Sequence, residues 1–322
     1  MLKRTRYILS FAPTPMAGLA LGIASLGCSW TYLSWVPSSV KYITALIGAM
    51  LLLLLLGKFV LQPSLLSKDL KHPVVGSVVP AFAMALMMIT ISLEDFMPKL
   101  GIGLWLIAIA LHVLFLVTFI YHRCKSFTIT DMVPSWFVPS VGIIVAAISC
   151  PSAFFQPFAV GVLWFGIVFY LMLLPVMIYR LACCGTLPDQ AKPTFVILAA
   201  PASICLAGYL TVIDDPSKSV VVALLVTALI KTAVIYRFGL RLMSLPFSPG
   251  YAAFTFPLAV GATALFKVQE QCIIWGVSNV LVHLLGVLAV VELFIASLVV
   301  LYVVFRYVYY YAITLRRELA FA

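Results

Sequence analysis

Two ionisable residues, Lys231 and Glu292, stand inside long apolar runs of the sequence, where a charge could take part in ion or proton transfer. A charged side chain inside a membrane is costly, so such residues often mark ion pathways or proton relays. Glu292 is expected to be protonated or to pair with a polar group on a neighbouring helix, conceivably Lys231. Lys231 lies six residues before Arg237, so its side chain could equally reach the membrane surface. Both are candidates for coupling transport to protons.

The motifs of enzymes and metal sites are missing from the sequence. It contains no HExxH, GxSxG or GxxxxGK[ST] pattern, and Gly57-Lys58 is followed by Phe59. His72 and His122 have no metal-ligand partner at helical spacing, and the seven cysteines include no CxxC pair. We therefore expect no catalytic residues, no metal site and no cofactor.

The composition indicates the class of protein to which these residues belong. Of the 322 residues, 64% are apolar and only 9% are charged, and the mean hydropathy is +1.18. A soluble domain would carry roughly 25% charged residues, so this chain cannot cover itself with a water-facing surface. The net charge of +10 does not predict nucleic-acid binding, because cytoplasmic loops of membrane proteins collect Lys and Arg. The chain is predicted to be an all-α polytopic membrane protein embedded in a lipid bilayer.

Apolar runs predict ten transmembrane helices in one domain over residues 1–322. With both termini in the cytoplasm, fifteen of the twenty basic residues fall on the cytoplasmic side, four fall outside and Lys231 lies within a span. Membrane insertion favours an excess of Lys and Arg on the cytoplasmic side, so this distribution supports the predicted spans. The predicted spans are about 9–34, 40–61, 74–96, 100–121, 136–155, 158–181, 194–213, 217–238, 250–267 and 275–308.

Prolines repeat along the chain at intervals of 65, 59, 62 and 56 residues, and each falls near the cytoplasmic end of an odd-numbered span: Pro15, Pro80, Pro139, Pro201 and Pro257. This period predicts five repeated helical hairpins. Broken helices are tolerated where they are buried or line a water-filled cavity. We therefore expect an inner ring of five Pro-kinked helices around a central pore, enclosed by five outer helices. Alternatively, the prolines merely bend packed helices.

The predicted inner helices are rich in small and hydroxyl residues, including Thr14, Gly18 and Thr255, and carry no charge in their middles. A pore lined in this way, with basic residues at its cytoplasmic mouth, would favour anions. Gly18 and Gly22 are also spaced as a pair that often marks close helix packing.

Several short motifs occur in an order and spacing that resemble the tellurite-resistance/dicarboxylate transporter (TDT) family. They are Lys71-His72-Pro73, Leu187-Pro188, Ala199-Ala200-Pro201-Ala202 and Ala253-Phe254-Thr255-Phe256-Pro257, and the resemblance extends from Pro13 to Phe305. The family includes bacterial TehA proteins, malic acid and sulfite carriers, and the plant guard-cell slow anion channel.

The resemblance implies a homotrimer in which each protomer has its own pore between five inner and five outer helices. It also implies that Phe256 blocks that pore as a gate. Pro257 matches the plant channels, whereas TehA proteins tend to have glycine there. Without the resemblance, Phe256 would be interpreted as a packing residue, because the chain has 22 phenylalanines.

Three functions follow as expectations. The first is a passive anion channel or channel-like uniporter of a bacterial inner membrane, with small inorganic anions as its substrates. The second is a secondary carrier of C4-dicarboxylates such as malate, or of sulfite, coupled to protons through Glu292. The third is a tellurite-resistance factor that acts through a soluble partner enzyme.

Overall fold

The structure is a computed structural model that describes residues 2–320, and this part of the chain is helical without a β-strand. The α-helices are α1 (Leu2–Ser10), α2 (Met16–Trp30), α3 (Ser39–Leu61), α4 (Pro63–Lys71), α5 (Val75–Val78), α6 (Ala81–Leu93), α7 (Pro98–Lys125), α8 (Phe137–Val141), α9 (Val145–Ile148), α10 (Gln156–Cys183), α11 (Ala200–Val212), α12 (Lys218–Met243), α13 (Thr255–Ile274) and α14 (Asn279–Ala320). Short 3₁₀ segments connect several of them, the longest being Asp189–Ala199 and Pro249–Phe254.

Eight helical segments of the described chain are long and apolar enough to cross a membrane. The first and fifth predicted spans are shorter apolar segments, Met16–Trp30 and Pro134–Ile148. Pro13 and Pro15 delay the start of α2, whose fifteen residues extend about 22 Å. The fifth segment alternates between 3₁₀ and α geometry around Pro139. The shortening therefore occurs at prolines.

The repeat prolines begin α-helices more often than they kink them. Pro15 and Pro80 directly precede α2 and α6, Pro201 is the second residue of α11, and Pro139 and Pro257 are the third residues of α8 and α13. In the first turn of a helix the missing proline N–H would have no intrahelical partner, so proline is tolerated there. The segment before each proline is a turn, a 3₁₀ segment or a short helix, so the repeat prolines mark breaks between helical segments.

Burial separates the helices into two classes. In the 18-residue apolar stretches of Val75–Leu93, Asp189–Val212 and Pro249–Ile274, which carry repeat prolines, 72%, 78% and 89% of the residues are buried. In the other long helices the share is 17–39%. In α2, twelve of fifteen residues are buried. The exposed surfaces of the second class are rich in Leu, Val, Ile and aromatic side chains, which suit contact with lipid.

The buried helices contact one another in a closed cycle. Helix α2 packs against α6, α6 against α9, α9 against α11, α11 against α13, and α13 again against α2. Each also contacts the more exposed helix that follows it in the chain, as α2 contacts α3 and α13 contacts α14. The buried cycle brings the proline-bearing ends of distant segments together.

Candidate anion pathway

A cavity of about 760 Å³ lies between the proline-bearing ends of the buried helices. We call it the inner cavity, because two of the residues that line it, Asp69 and His72, lie on the predicted cytoplasmic side. All five proline-bearing segments contribute to its wall, and six of the predicted pore residues line it: Thr14, Pro15, Gly18, Pro201, Phe256 and Pro257. A single space therefore joins residues that are up to 243 positions apart.

Three predicted pore residues do not line this cavity. Thr255 turns its hydroxyl to the backbone, donating to the carbonyls of Ala252 at 2.8 Å and Gly18 at 3.1 Å. The carbonyl of Pro139 accepts a hydrogen bond of 2.9 Å from Nε2 of the buried His112 on α7. Pro80 stands at the break between α5 and α6. None of these three residues lines the inner cavity.

A second cavity, of about 370 Å³, lies beyond Phe256 toward the opposite ends of the buried helices. We call it the outer cavity. Its wall includes Ser25, Tyr32, Thr263, Lys267 and Glu270. Phe256 lines both cavities, and no other residue of the described chain does so. Its side chain is 7% exposed.

The backbone around Phe256 is fixed by close contact between α2 and α13. A Cβ at Gly22 would overlap the Thr255 hydroxyl and lie 3.0 Å from the Phe256 backbone nitrogen. A Cβ at Gly18 would make an ordinary contact of 3.4 Å with the Ala252 side chain. Gly22 thus serves close packing, whereas Gly18 also faces the inner cavity.

The wall of the inner cavity contains a buried cation, Lys58, which the sequence predicted only as a basic residue on the cytoplasmic side. Lys58 is 6% exposed, and its Nζ donates to Ala12 O at 2.9 Å and Thr14 Oγ1 at 3.1 Å. The Asp69 carboxylate lies 3.7 Å from Lys58 Nζ and accepts a 2.5 Å hydrogen bond from Thr14. The Lys58 charge is therefore balanced inside the cavity wall, which reduces the positive field predicted there.

Two other basic residues of the predicted cytoplasmic side hold loops. Arg123 donates to the carbonyl of Lys71, and Arg180 donates to the carbonyls of Gly185 at 2.8 Å and Thr130 at 3.0 Å. His72 accepts hydrogen bonds at Nδ1 from the backbone N–H groups of Val74 and Val75 at the start of α5. These side chains shape the mouth of the inner cavity through backbone contacts.

Glu292 has a polar partner on a neighbouring helix, and this partner is not Lys231. The Glu292 carboxylate accepts a hydrogen bond from the Tyr236 hydroxyl, while Lys231 Nζ donates to the Tyr170 hydroxyl at 2.6 Å. Glu292 contacts Tyr236 and not Lys231 because positions 231 and 236 lie on different faces of α12. Glu292 borders a side cavity of about 210 Å³ next to Gly261 and lines neither the inner nor the outer cavity.

Two carboxyl groups in the loop between α6 and α7, those of Glu94 and Asp95, have different surroundings. Asp95 lies 2.5 Å from Lys41 Nζ and accepts a 2.7 Å hydrogen bond from the Tyr42 hydroxyl. These hydrogen bonds hold the pKa of Asp95 below its usual value. Burial instead raises the pKa of Glu94 above its usual value. Lys41 is thus paired and contributes little free positive charge.

Comparison with known proteins agrees with this geometry. Residues 12–308 match the family described as SLAC1, voltage-dependent anion channel. Two proteins of Methanocaldococcus jannaschii, both described as uncharacterized transporters, are 27% identical to the chain. One alignment covers 68% of this chain and 71% of the relative, and the other covers 59% and 62%.

The family match confirms the resemblance stated from the sequence motifs. Its members are channels and transporters, not enzymes, and the apolar helices fit a multi-pass membrane protein. The chain therefore belongs to the voltage-dependent anion channel (SLAC1) family of membrane transport proteins.

Proposed function

We propose that the protein is a passive anion channel, or channel-like uniporter, with Phe256 as its gate. The observation that carries the proposal is that Phe256 lines both the inner and the outer cavity. An apolar ring at a constriction excludes water and obstructs ions. Turning the ring aside would join the two cavities into one path at the expense of rotamer and packing energy.

The membrane arrangement that we propose has ten spans in one domain, with both termini in the cytoplasm of a bacterial cell and the helices in its inner membrane. The two short segments, Met16–Trp30 and Pro134–Ile148, would complete the ten, because both lie in the buried cycle of helices. The contacts between consecutive buried and exposed helices support five repeated hairpins. A homotrimer, with one pore in each protomer, follows from the family resemblance.

Selectivity would come from the cost of removing water from each anion. The inner cavity is lined mainly by apolar side chains, and Lys58, the one lysine among the described residues of its wall, is balanced by Asp69. Because such a wall cannot replace a full hydration shell, weakly hydrated anions such as nitrate and iodide should pass more readily than chloride.

A second candidate is a carrier of C4-dicarboxylates or sulfite that is coupled to protons through Glu292. The observation in its favour is that Glu292 is 4% exposed and packs beside Gly261, on the same helix as Phe256. Protonation of this carboxyl could therefore act on the gate helix from the side. This candidate predicts saturable, pH-driven malate uptake.

The test is anion flux into proteoliposomes containing purified protein. Phe256→Ala should give large currents that do not saturate with anion concentration, while the wild type stays nearly closed. Phe254→Ala is the matched control, because Phe254 is a buried phenylalanine two positions away that lines neither cavity. Slow, saturable malate uptake by both wild type and Phe256→Ala would support the carrier and make Phe256 a packing residue.

A further inference from the structure

Ser25 has a buried hydroxyl that the protein leaves without a partner. Its side chain is 2% exposed, lines the outer cavity and forms no hydrogen bond within the described residues. Ser29, one turn later on α2, bonds to the Ser25 carbonyl at 2.9 Å and to the Thr263 hydroxyl at 2.7 Å. A buried hydroxyl without an acceptor costs free energy, so the Ser25 O–H is available to a ligand that accepts a hydrogen bond.

Lys267 lines the same cavity. Within the described residues, Lys267 takes part in none of the ion pairs, which are Lys41–Asp95, Lys58–Asp69 and Lys192–Asp189. Lys218, also on the predicted outer side, is exposed and stacks over the Trp275 ring outside the cavity. Lys267 is therefore the cation that faces the outer cavity.

Glu270 sets a limit on the charge of the ligand. It lines the outer cavity one turn after Lys267 and is exposed at the rim. The Glu270 carboxylate offsets part of the Lys267 charge, and it repels a doubly charged anion about twice as strongly as a singly charged one. A monovalent anion therefore fits the cavity better than a dicarboxylate does.

We propose that the outer cavity is a binding site for a small monovalent inorganic anion, held by the Lys267 ammonium and the Ser25 hydroxyl. The proposal rests on the proposed function, because it places the site on the path beyond Phe256. An anion that passes Phe256 from the inner cavity would enter a space lined by Lys267. The site would raise the local anion concentration next to the gate and limit the current when anions are scarce.

Currents in planar bilayers test the proposal in a Phe256→Ala background. Lys267→Gln should reduce the nitrate current about three- to tenfold at low nitrate and much less at high nitrate, and Lys267→Arg should keep it. Ser25→Ala should also reduce the nitrate current at low nitrate, by less than Lys267→Gln does. Lys218→Gln removes an outer lysine that does not face the cavity and should leave the current unchanged. Equal currents for Lys267→Gln and Lys218→Gln would overturn the inference.

Bromide soaked into crystals of the wild-type protein separates this inference from the channel proposal. We expect an anomalous peak between Ser25 and Lys267 that disappears in Lys267→Gln and weakens in Ser25→Ala. Absence of the peak in the wild type, or its persistence in both variants, would overturn the site even if Phe256→Ala conducts. Silent Phe256→Ala channels together with the expected peaks would contradict the gate and support the site.

Discussion

Gly22 on α2 packs directly against Thr255 on α13, with no space between them for a side chain. A Cβ at Gly22 would overlap the Thr255 hydroxyl and lie 3.0 Å from the backbone nitrogen of Phe256. The Thr255 hydroxyl in turn donates to the Gly18 carbonyl at 3.1 Å. The first turn of the helix that carries Phe256 is thus positioned by its contact with α2.

Gly22→Ala should destabilise the protein by about 1–3 kcal/mol, because the added methyl group must push α13 away from α2. Gly18→Ala is the matched control, since its methyl group would make an ordinary 3.4 Å contact with Ala252. Thermal unfolding of the purified proteins in detergent measures the difference. Equal unfolding midpoints for the two variants would show that α2 and α13 leave room for a methyl group at position 22.

Asp69→Asn should increase anion current from the inner side about twofold at low salt in the Phe256→Ala background. The substitution removes the carboxylate 3.7 Å from Lys58 Nζ and leaves an amide oxygen that can still accept from Thr14. The uncompensated lysine then attracts anions into the inner cavity. High salt should abolish the increase, because it screens the added charge.

Asp189→Asn provides the control for this measurement. Asp189 also pairs with a lysine, Lys192, on the predicted cytoplasmic side, but its side chain is 88% exposed and does not line the cavity. Asp189→Asn should therefore leave the current unchanged. An equal increase in both variants would mean that general surface charge, and not Lys58 in the cavity wall, sets the effect.

The proline pattern predicted much of the fold, because proline acts through its own ring and missing N–H wherever it stands. The spacing of Pro15, Pro80 and Pro201 marked the breaks that precede or begin α2, α6 and α11. The pattern could not show that these prolines begin helices, because that depends on the turn or 3₁₀ geometry of the preceding segments. The same limit applies to the lengths of the first and fifth predicted spans.

Side-chain partners were much less predictable than helices. Tyr236 and Glu292 are 56 residues apart, and their hydrogen bond depends on the rotation of two separate helices. His112 was visible only as a lone histidine in an apolar run, whereas its bond to the Pro139 carbonyl requires the fold. Lys58 and Asp69 are close in sequence, but the return of α4 toward α3 is what brings them together.

Acid should destabilise the protein partly through Asp95. Its pKa is held below the ordinary value of 3.8 by hydrogen bonds from Lys41 and Tyr42. A carboxyl with a lowered pKa in the folded state contributes stability above its unfolded pKa, and this contribution is lost as the pH falls through the folded pKa. Asp95→Asn should therefore lower the unfolding midpoint at neutral pH and reduce its decrease below about pH 4.

The control for this pH dependence is Asp215→Asn, which alters an exposed carboxylate in another loop. Unfolding midpoints of the three proteins, measured from about pH 7 to about pH 2 in one detergent, give the comparison. If Asp95→Asn follows the wild-type curve in parallel, the interaction of Asp95 with Lys41 contributes nothing to acid stability.

Glu292→Gln distinguishes a packing role for the buried carboxyl from proton coupling. Glu292 lines neither cavity, so in a channel its replacement should leave the Phe256→Ala current and the pH dependence of that current unchanged.

Tyr236→Phe should destabilise the protein by about 1–3 kcal/mol, because it removes the hydroxyl that donates to Glu292 in a buried site. Glu292→Gln should cost less, since an amide carries no charge and can accept the same bond. Flux at several pH values and thermal unfolding measure the two effects. Loss of pH-driven malate uptake in Glu292→Gln, with its unfolding midpoint preserved, would contradict the channel and establish the carrier.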